Sequence, residues 1–270
     1  MQISLFVLAI VLSILIAGKI YLELQFRKQV KQLFDQSKNL PVKVFRKEQL
    51  TGLPEPVKRY FLHVLKDGQL YIRNIRLLHD GEFKTGPDKD WVAIKGEEYF
   101  TTDKPGFAWK GKTALFTARD MYLAGRGKLV VSLFNLFRIA DGHGEKFDQS
   151  ELLRWLAESV WFPTNLLPSG RLKWVAIDDH TACLIFTYMG LTVNYKVTFN
   201  TIGEITRFEA KRYMGDANLE TWSGTVSRYQ KINDVFVPLT IEVSWDLKTG
   251  SFPYARFHVT RIEYGKPVIF

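Results

Sequence analysis

The chain has 270 residues, a single cysteine and a formal net charge of +9, from 37 Lys and Arg against 28 Asp and Glu. One cysteine excludes an internal disulfide framework. The basic residues are mostly interspersed with acidic ones, and no basic run or binding motif is present, so nucleic acid is excluded as a partner.

The first eighteen residues, Met1–Gly18, carry no charge, and 14 of them are Ile, Leu, Val, Phe, Ala or Met. At about 1.5 Å per residue the run is roughly 27 Å long, close to the ~30 Å hydrocarbon core of a bilayer. It lacks the basic n-region and the small-x-small cleavage context of a secretory signal. Residues 1–22 are therefore expected to be an uncleaved transmembrane signal anchor. Lys19, Arg27, Lys28 and Lys31 follow the span and no basic residue precedes it. The positive-inside rule then favours the cytoplasmic side for the C-terminal bulk of the chain, and these four cations suit an anionic membrane surface.

Leu22, Phe26, Val30, Leu33 and Phe34 keep helical spacing, predicting a juxtamembrane helix over 20–37 that stops at Asn39-Leu40-Pro41. Residues 23–52 are read as this helix plus a linker, and 53–270 as one β-rich domain. A second helix opens at Pro54-Glu55-Pro56 and carries the stripe Val57, Tyr60, Phe61, Val64, Leu65 until Asp67-Gly68.

From Leu70 the period becomes two. Leu172–Ala176, Leu191–Phe199 and Val235–Trp245 alternate apolar with polar residues, as strands of an antiparallel sheet do. Asp80-Gly81, Gly203 and Thr249-Gly250 read as turns, and about eleven strands are expected between Leu70 and Tyr264. One helix interrupts them, with Asp148 as expected N-cap of Asp148-Gln149-Ser150-Glu151, and Leu152, Trp155, Leu156 and Val160 on one face. The expected fold class is mainly β (α+β): a curved antiparallel half-open β-barrel with packed helices, preceded by one transmembrane helix.

Candidate chemistry is sparse. Asp141, His143 and Glu145 alternate as metal ligands do, and would serve a hydrolase only if they converge; a polar turn explains them equally. Asp178-Asp179-His180 reads as a hairpin tip and His79-Asp80-Gly81-Glu82 as another turn. Cys183, in the apolar run Ala182–Tyr188, is expected to be a buried, inert thiol. Gly125-Arg126-Gly127 reads as a turn or strand kink. No nucleophile elbow, P-loop or dinucleotide fingerprint is present, so no cofactor and no metal is implied. The aromatic residues carry more. Phe107 and Trp109 share a strand face, and Trp91, Trp155, Trp161, Trp174, Trp222 and Trp245 are spread through the β region. Such a sheet can hold an apolar ligand in a cleft. The expected ligand-binding residues are Phe107, Trp109, Trp155 and Trp161, with Arg119 and Arg126 at the mouth to meet an anionic headgroup.

The stretches Leu53-Pro-Glu-Pro-Val-Lys-Arg-Tyr, Gly125-Arg-Gly, Glu151–Pro163 and Phe252–Tyr264 resemble an uncharacterised bacterial family with an N-terminal membrane helix and a domain of unknown function. The resemblance brings no catalytic residues. The order of strands, inserted helix and strands is also similar to LolA-like lipoprotein-carrier half-barrels, which bind acyl chains; that likeness implies a lipid or other apolar ligand by analogy alone. The expected function is binding such a ligand in the concave face, beside the lipids of the anchoring membrane. The alternative is a non-enzymatic scaffold whose concavity is filled.

Overall fold

The computed structural model describes residues 2–37 and 41–270. Helix α1 spans Gln2–Asp35 without a break, so the anchor and the juxtamembrane helix are one element. It is long and apolar enough to cross a membrane, and none of its apolar stretch is buried in the domain. Of the expected stop, Asn39 and Leu40 lie outside the described residues. The linker forms a short 3-10 turn, Lys47–Leu50, and one bridge from Val44 to Leu70. Helix α2, Glu55–Val64, buries the expected stripe Val57, Tyr60, Phe61 and Val64.

Thirteen strands follow rather than eleven. They are β1 (Asn74–Phe83), β2 (Val92–Thr101), β3 (Gly106–Lys112), β4 (Phe116–Leu123), β5 (Arg126–Leu133) and β6 (Phe137–His143). After helix α3 (Glu145–Glu158) come β7 (Leu172–Ala176), β8 (Thr181–Tyr188), β9 (Leu191–Phe199), β10 (Ile205–Tyr213), β11 (Leu219–Ile232), β12 (Val235–Leu247) and β13 (Gly250–Tyr264). All pair antiparallel in one sheet, ordered β6-β5-β4-β3-β2-β1-β13-β12-β11-β10-β9-β8-β7. Two meanders are thus zipped along β1 and β13. The sheet stays open between its edge strands β6 and β7, which α3 connects in sequence.

Two expected turns are strand. His79–Glu82 continues β1, paired with both β2 and β13 past a bulge at Leu78/His79. Gly81 is needed there for close approach, since a Cβ would run into the Arg256 carbonyl. Asp141–His143 belongs to β6; an edge strand with one partner needs no apolar alternation, so its sequence mimics a polar turn. Helix α3 also begins earlier than expected, at Glu145 with Gly144 as N-cap. The Asp148 carboxylate is instead spent on the Gly127 N–H at 2.7 Å and on Arg126 at 2.9 Å.

The strand period puts alternate residues of β2 and β3 on opposite faces. Glu98, Phe107 and Trp109 face α3, which packs in the concavity. Glu97, Tyr99, Ala108 and Lys110 face the other way, against Phe26, Val30, Leu33 and Phe34 of α1. Strand β3 is consequently buried on both sides over Gly106–Gly111. The indoles in the core are anchored by their N–H groups: Trp155 donates to the Thr101 carbonyl, Trp161 to that of Pro238 and Trp174 to that of Leu166. Large aromatics so placed fill the rest of the concave face, but not all of it.

Candidate functional site

A cavity of about 480 Å3 remains between α3 and the concave sheet. Phe116, Ala118, Leu129 and Val131 of β4 and β5 form one wall, and Ile241, Val243, Trp245, Ala255 and Phe257 of β12 and β13 form the other. Trp109 and Trp222 lie in the lining, with Phe147 from α3 and Met214 just beyond β10. The volume and the apolar, aromatic walls suit a small-molecule or chain-like ligand.

One patch of this lining is charged: Asp120, Glu151, Arg154, Glu158 and Arg212. Arg154 is the hub. Its guanidinium donates to Glu98 at 3.0 Å, Asp120 at 2.6 Å and Glu158 at 2.9 Å, while stacking over Phe107 and Trp109, each at 4.9 Å. Arg212 donates to the Ser150 carbonyl at 3.1 Å and to Glu151 at 3.3 Å, and lies over Trp222 and Trp245. Four buried carboxyls therefore face two guanidiniums. Removing unmatched charge from water is costly, so such groups change protonation instead. Burial first, and repulsion from Glu158 next, push Glu98 well above its ordinary value; burial and then Asp120 do the same to Glu151. Burial also raises Glu158. Burial works against the charge of Arg154, and the surrounding carboxyls more than offset it.

The acids act on one another in two pairs, Glu158 raising Glu98 and Asp120 raising Glu151. Asp120 Oδ1 and Glu158 Oε2 are buried and meet no ordinary donor. The raised values of Glu98, Glu151 and Glu158 favour their protonated forms in this enclosed patch at the edge of an apolar cavity.

His79 braces this wall from behind. Trp109 Nε1–H donates to His79 Nε2 at 2.8 Å, placing the imidazole proton on Nδ1. The ring stacks on Phe257 at 4.2 Å, and burial lowers its pKa to about 3, so it stays neutral. It rests on Gly96, where a Cβ would run into the imidazole.

The residues expected from sequence fall in different places. Trp109 lines the cavity. Phe107 is buried beneath Arg154, and Trp155 and Trp161 are buried in the surrounding core. Arg119 is buried on the opposite face, donating to Gln25 of α1 at 3.2 Å. Arg126 is exposed and pairs with Asp148. Asp141 and His143 approach to 3.7 Å, but Lys128 and Arg138 occupy the carboxylate, and Glu145 sits in the first turn of α3. Among the described residues no three ligand-type side chains gather around a metal-sized site. Asp178 accepts from the His180 N–H in the β7–β8 turn, as a hairpin tip does. Cys183 is half-buried on β8 rather than fully enclosed, and that burial pushes its thiol up.

None of the six ionisable residues of this cluster, Arg154 and Arg212 included, is among the ligand-binding residues expected from sequence. A signal is there: Glu151, Arg154 and Glu158 recur at helical spacing in Glu-Leu-Leu-Arg-Trp-Leu-Ala-Glu, charges on a helix otherwise apolar enough to be buried all round.

A curved, unclosed antiparallel sheet with a helix seated in its concavity and an apolar helix ahead of it is the class of fold this chain adopts. The chain belongs to DUF6544, a family of unknown function, whose model matches residues 43–257. Among solved structures it is similar to a domain from Vibrio parahaemolyticus described as an outer membrane lipoprotein-sorting protein domain. That likeness has a TM-score of 0.42 and 10% identity, covering 73% of this chain and 87% of that one. It is also similar to a LolA superfamily protein from Nitrosomonas europaea, with a TM-score of 0.40 and 10% identity, covering 78% of this chain and 92% of that one. No curated protein matches the chain.

Proposed function

We propose that this protein is held at a membrane by α1 and binds a lipid or other amphiphile in the concave cavity. The observation that carries the reading is the cavity itself: about 480 Å3 of space with apolar walls and one buried charged patch. A purely structural concavity would be filled to the packing density of a protein interior. Trp109 and the β12–β13 residues take the apolar body of the ligand, and the patch takes its head. Because carboxyls outnumber guanidiniums there, the favoured head donates hydrogen bonds to the patch, as an ammonium or hydroxyl does. A carboxylate head would add a further acid to a patch in which carboxyls already outnumber guanidiniums.

The full chain, released gently from membranes, tests this by native mass spectrometry beside an Ala118→Trp variant that fills the cavity. One bound amphiphile per wild-type chain is expected, lost in the variant and replaced more readily by a long-chain amine or alcohol than by a fatty acid. Equal lipid on both proteins would assign the lipid to α1 and remove the cavity from the account.

A further inference from the structure

The apolar stretch of α1 is flanked by two turns of the sheet. The β3–β4 turn (113–115) and the β5–β6 turn (134–136) press against it, forming with Leu15, Ile16 and Lys19 a shallow cleft of about 250 Å3. At Gly18 a Cβ would stand 2.6 Å from the Asn135 carbonyl and 2.8 Å from Leu136 Cδ2, so the approach is close because the residue is glycine. The turns are tied to each other: the Phe134 N–H donates to the Leu115 carbonyl at 2.9 Å. Both sit beside the uncharged side of Lys19. At 1.5 Å per residue, Leu15 lies about 6 Å nearer the N-terminus than Lys19, inside the uncharged run.

At this level the sheet displays large apolar side chains to the outside. Leu115 is 57% exposed, Phe134 47% and Phe137 63%, with Leu136 and Ile139 alongside. Phe134 takes a left-handed backbone conformation, φ 51°, which a bulky residue adopts at a cost. Exposed Arg138 and Lys19 lie next to this apolar group in sequence or space, the order that meets hydrocarbon first and phosphate next.

We propose that these two turns dip into the leaflet next to the domain, burying Leu115, Phe134, Leu136 and Phe137 in its hydrocarbon. The inference rests on the reading of α1 as a membrane span. The occupant is the bilayer because the apolar turns are packed against the very segment that the bilayer surrounds. The arrangement also sets where the cavity opens. Phe116 lines both the shallow cleft and the concave cavity, and Ile139, exposed on edge strand β6, lines the cavity too. A lipid tail can therefore pass between leaflet and cavity along the β4–β6 edge without crossing water.

The test uses the full chain in phosphatidylcholine–phosphatidylglycerol vesicles, with Cys183→Ser as background and single nitroxide-labelled cysteines. Leu115→Cys and Phe134→Cys probe the turns, Ile14→Cys the span, and Val175→Cys a distant exposed strand. Oxygen, which partitions into hydrocarbon, and a water-soluble nickel chelate then report depth. The proposal expects both turn labels to favour oxygen over nickel at least several-fold, as the Ile14 label does, and the Val175 label to do the reverse. Turn labels open to nickel while Ile14 is shielded would overturn the insertion and leave the span intact. An Ile14 label open to nickel would overturn the span and the insertion with it. Spin–spin broadening between turn labels that persists at high lipid dilution would mean that a second copy covers this face, and would equally overturn the proposal.

Discussion

The two faces of β2 and β3 bury charge in opposite ways. On the convex face Lys110 is enclosed by Glu23 of α1 at 2.8 Å and Glu97 at 2.6 Å and lies over the Phe26 ring. On the concave face four carboxyls gather around two guanidiniums, and empty volume lies alongside. The convex cluster retains some contact with water at Glu23 and fixes a helix to a sheet. The concave one has more carboxyls than guanidiniums and lines a cavity, and burial raises the pKa of Glu98, Glu151 and Glu158. Charge surplus next to open space is what sets the concave cluster apart from the convex packing contact, more than burial or charge alone.

The comparison breaks most visibly at Arg154. Arg154→Met strands three buried carboxyls, Glu98, Asp120 and Glu158, and removing one partner from such a cluster costs about 3–5 kcal/mol. Denaturant melts of the full chain should show that loss, with part of it recovered in Arg154→Met combined with Glu98→Gln. On the convex face Lys110→Met should cost less, about 1–3 kcal/mol, because Glu23 reaches solvent; a loss equal to that at Arg154 would erase the distinction between the faces.

The pH dependence sharpens it. Glu98, Glu151 and Glu158 have folded values raised above the ordinary 4.5, burial being the first cause. The folded state therefore binds more protons than the unfolded chain above about pH 4.5, and stability falls as pH rises through that window toward the raised values. Glu263, held down to about 2 by hydrogen bonds from Arg76 and Arg261, acts with opposite sign: its contribution is present above about pH 4.5 and fades as pH drops toward 2. Glu98→Gln removes one of the raised groups, so the falling limb should flatten by up to ~1.4 kcal/mol per pH unit. Melting curves at pH 5 and pH 8 measure this directly, and an unchanged slope would deny that Glu98 holds a proton.

A smaller effect is expected behind the wall. Gly96→Ala pushes His79 off its seat and tilts Trp109 into the cavity, at a cost of about 1–3 kcal/mol and with weaker amphiphile retention. Smallest is Arg126→Ala: the arginine is exposed and buried Asp148 keeps the Gly127 N–H, so the loss in the same melts is at most ~1 kcal/mol.

Much of the architecture was legible in the residues. The uncharged run to Gly18, the stripe of α2 and the alternation of Leu191–Phe199 and Val235–Trp245 each carry one period strongly enough to fix element and face. Strand β6 and the His79–Glu82 part of β1 were obscured because Asp-Gly pairs favour turns locally, while pairing from distant strands decides the outcome. The charged patch was harder still. Glu98 and Asp120 come from strands, Glu151, Arg154 and Glu158 from α3, and Arg212 from β10. Only the curvature that folds the sheet around the helix brings them together, and no local pattern encodes a separation of more than a hundred residues between Glu98 and Arg212.

The concave cavity as a lipid-holding site is tested most directly by photocrosslinking in native membranes, with a diazirine amino acid placed in turn at Ile241 and at its neighbour Glu242. Ile241 lines the cavity, whereas Glu242 pairs with Arg256 on the other face of the same strand. The account predicts a lipid adduct at 241 and none at 242. Adducts at both positions, or at neither, would contradict it.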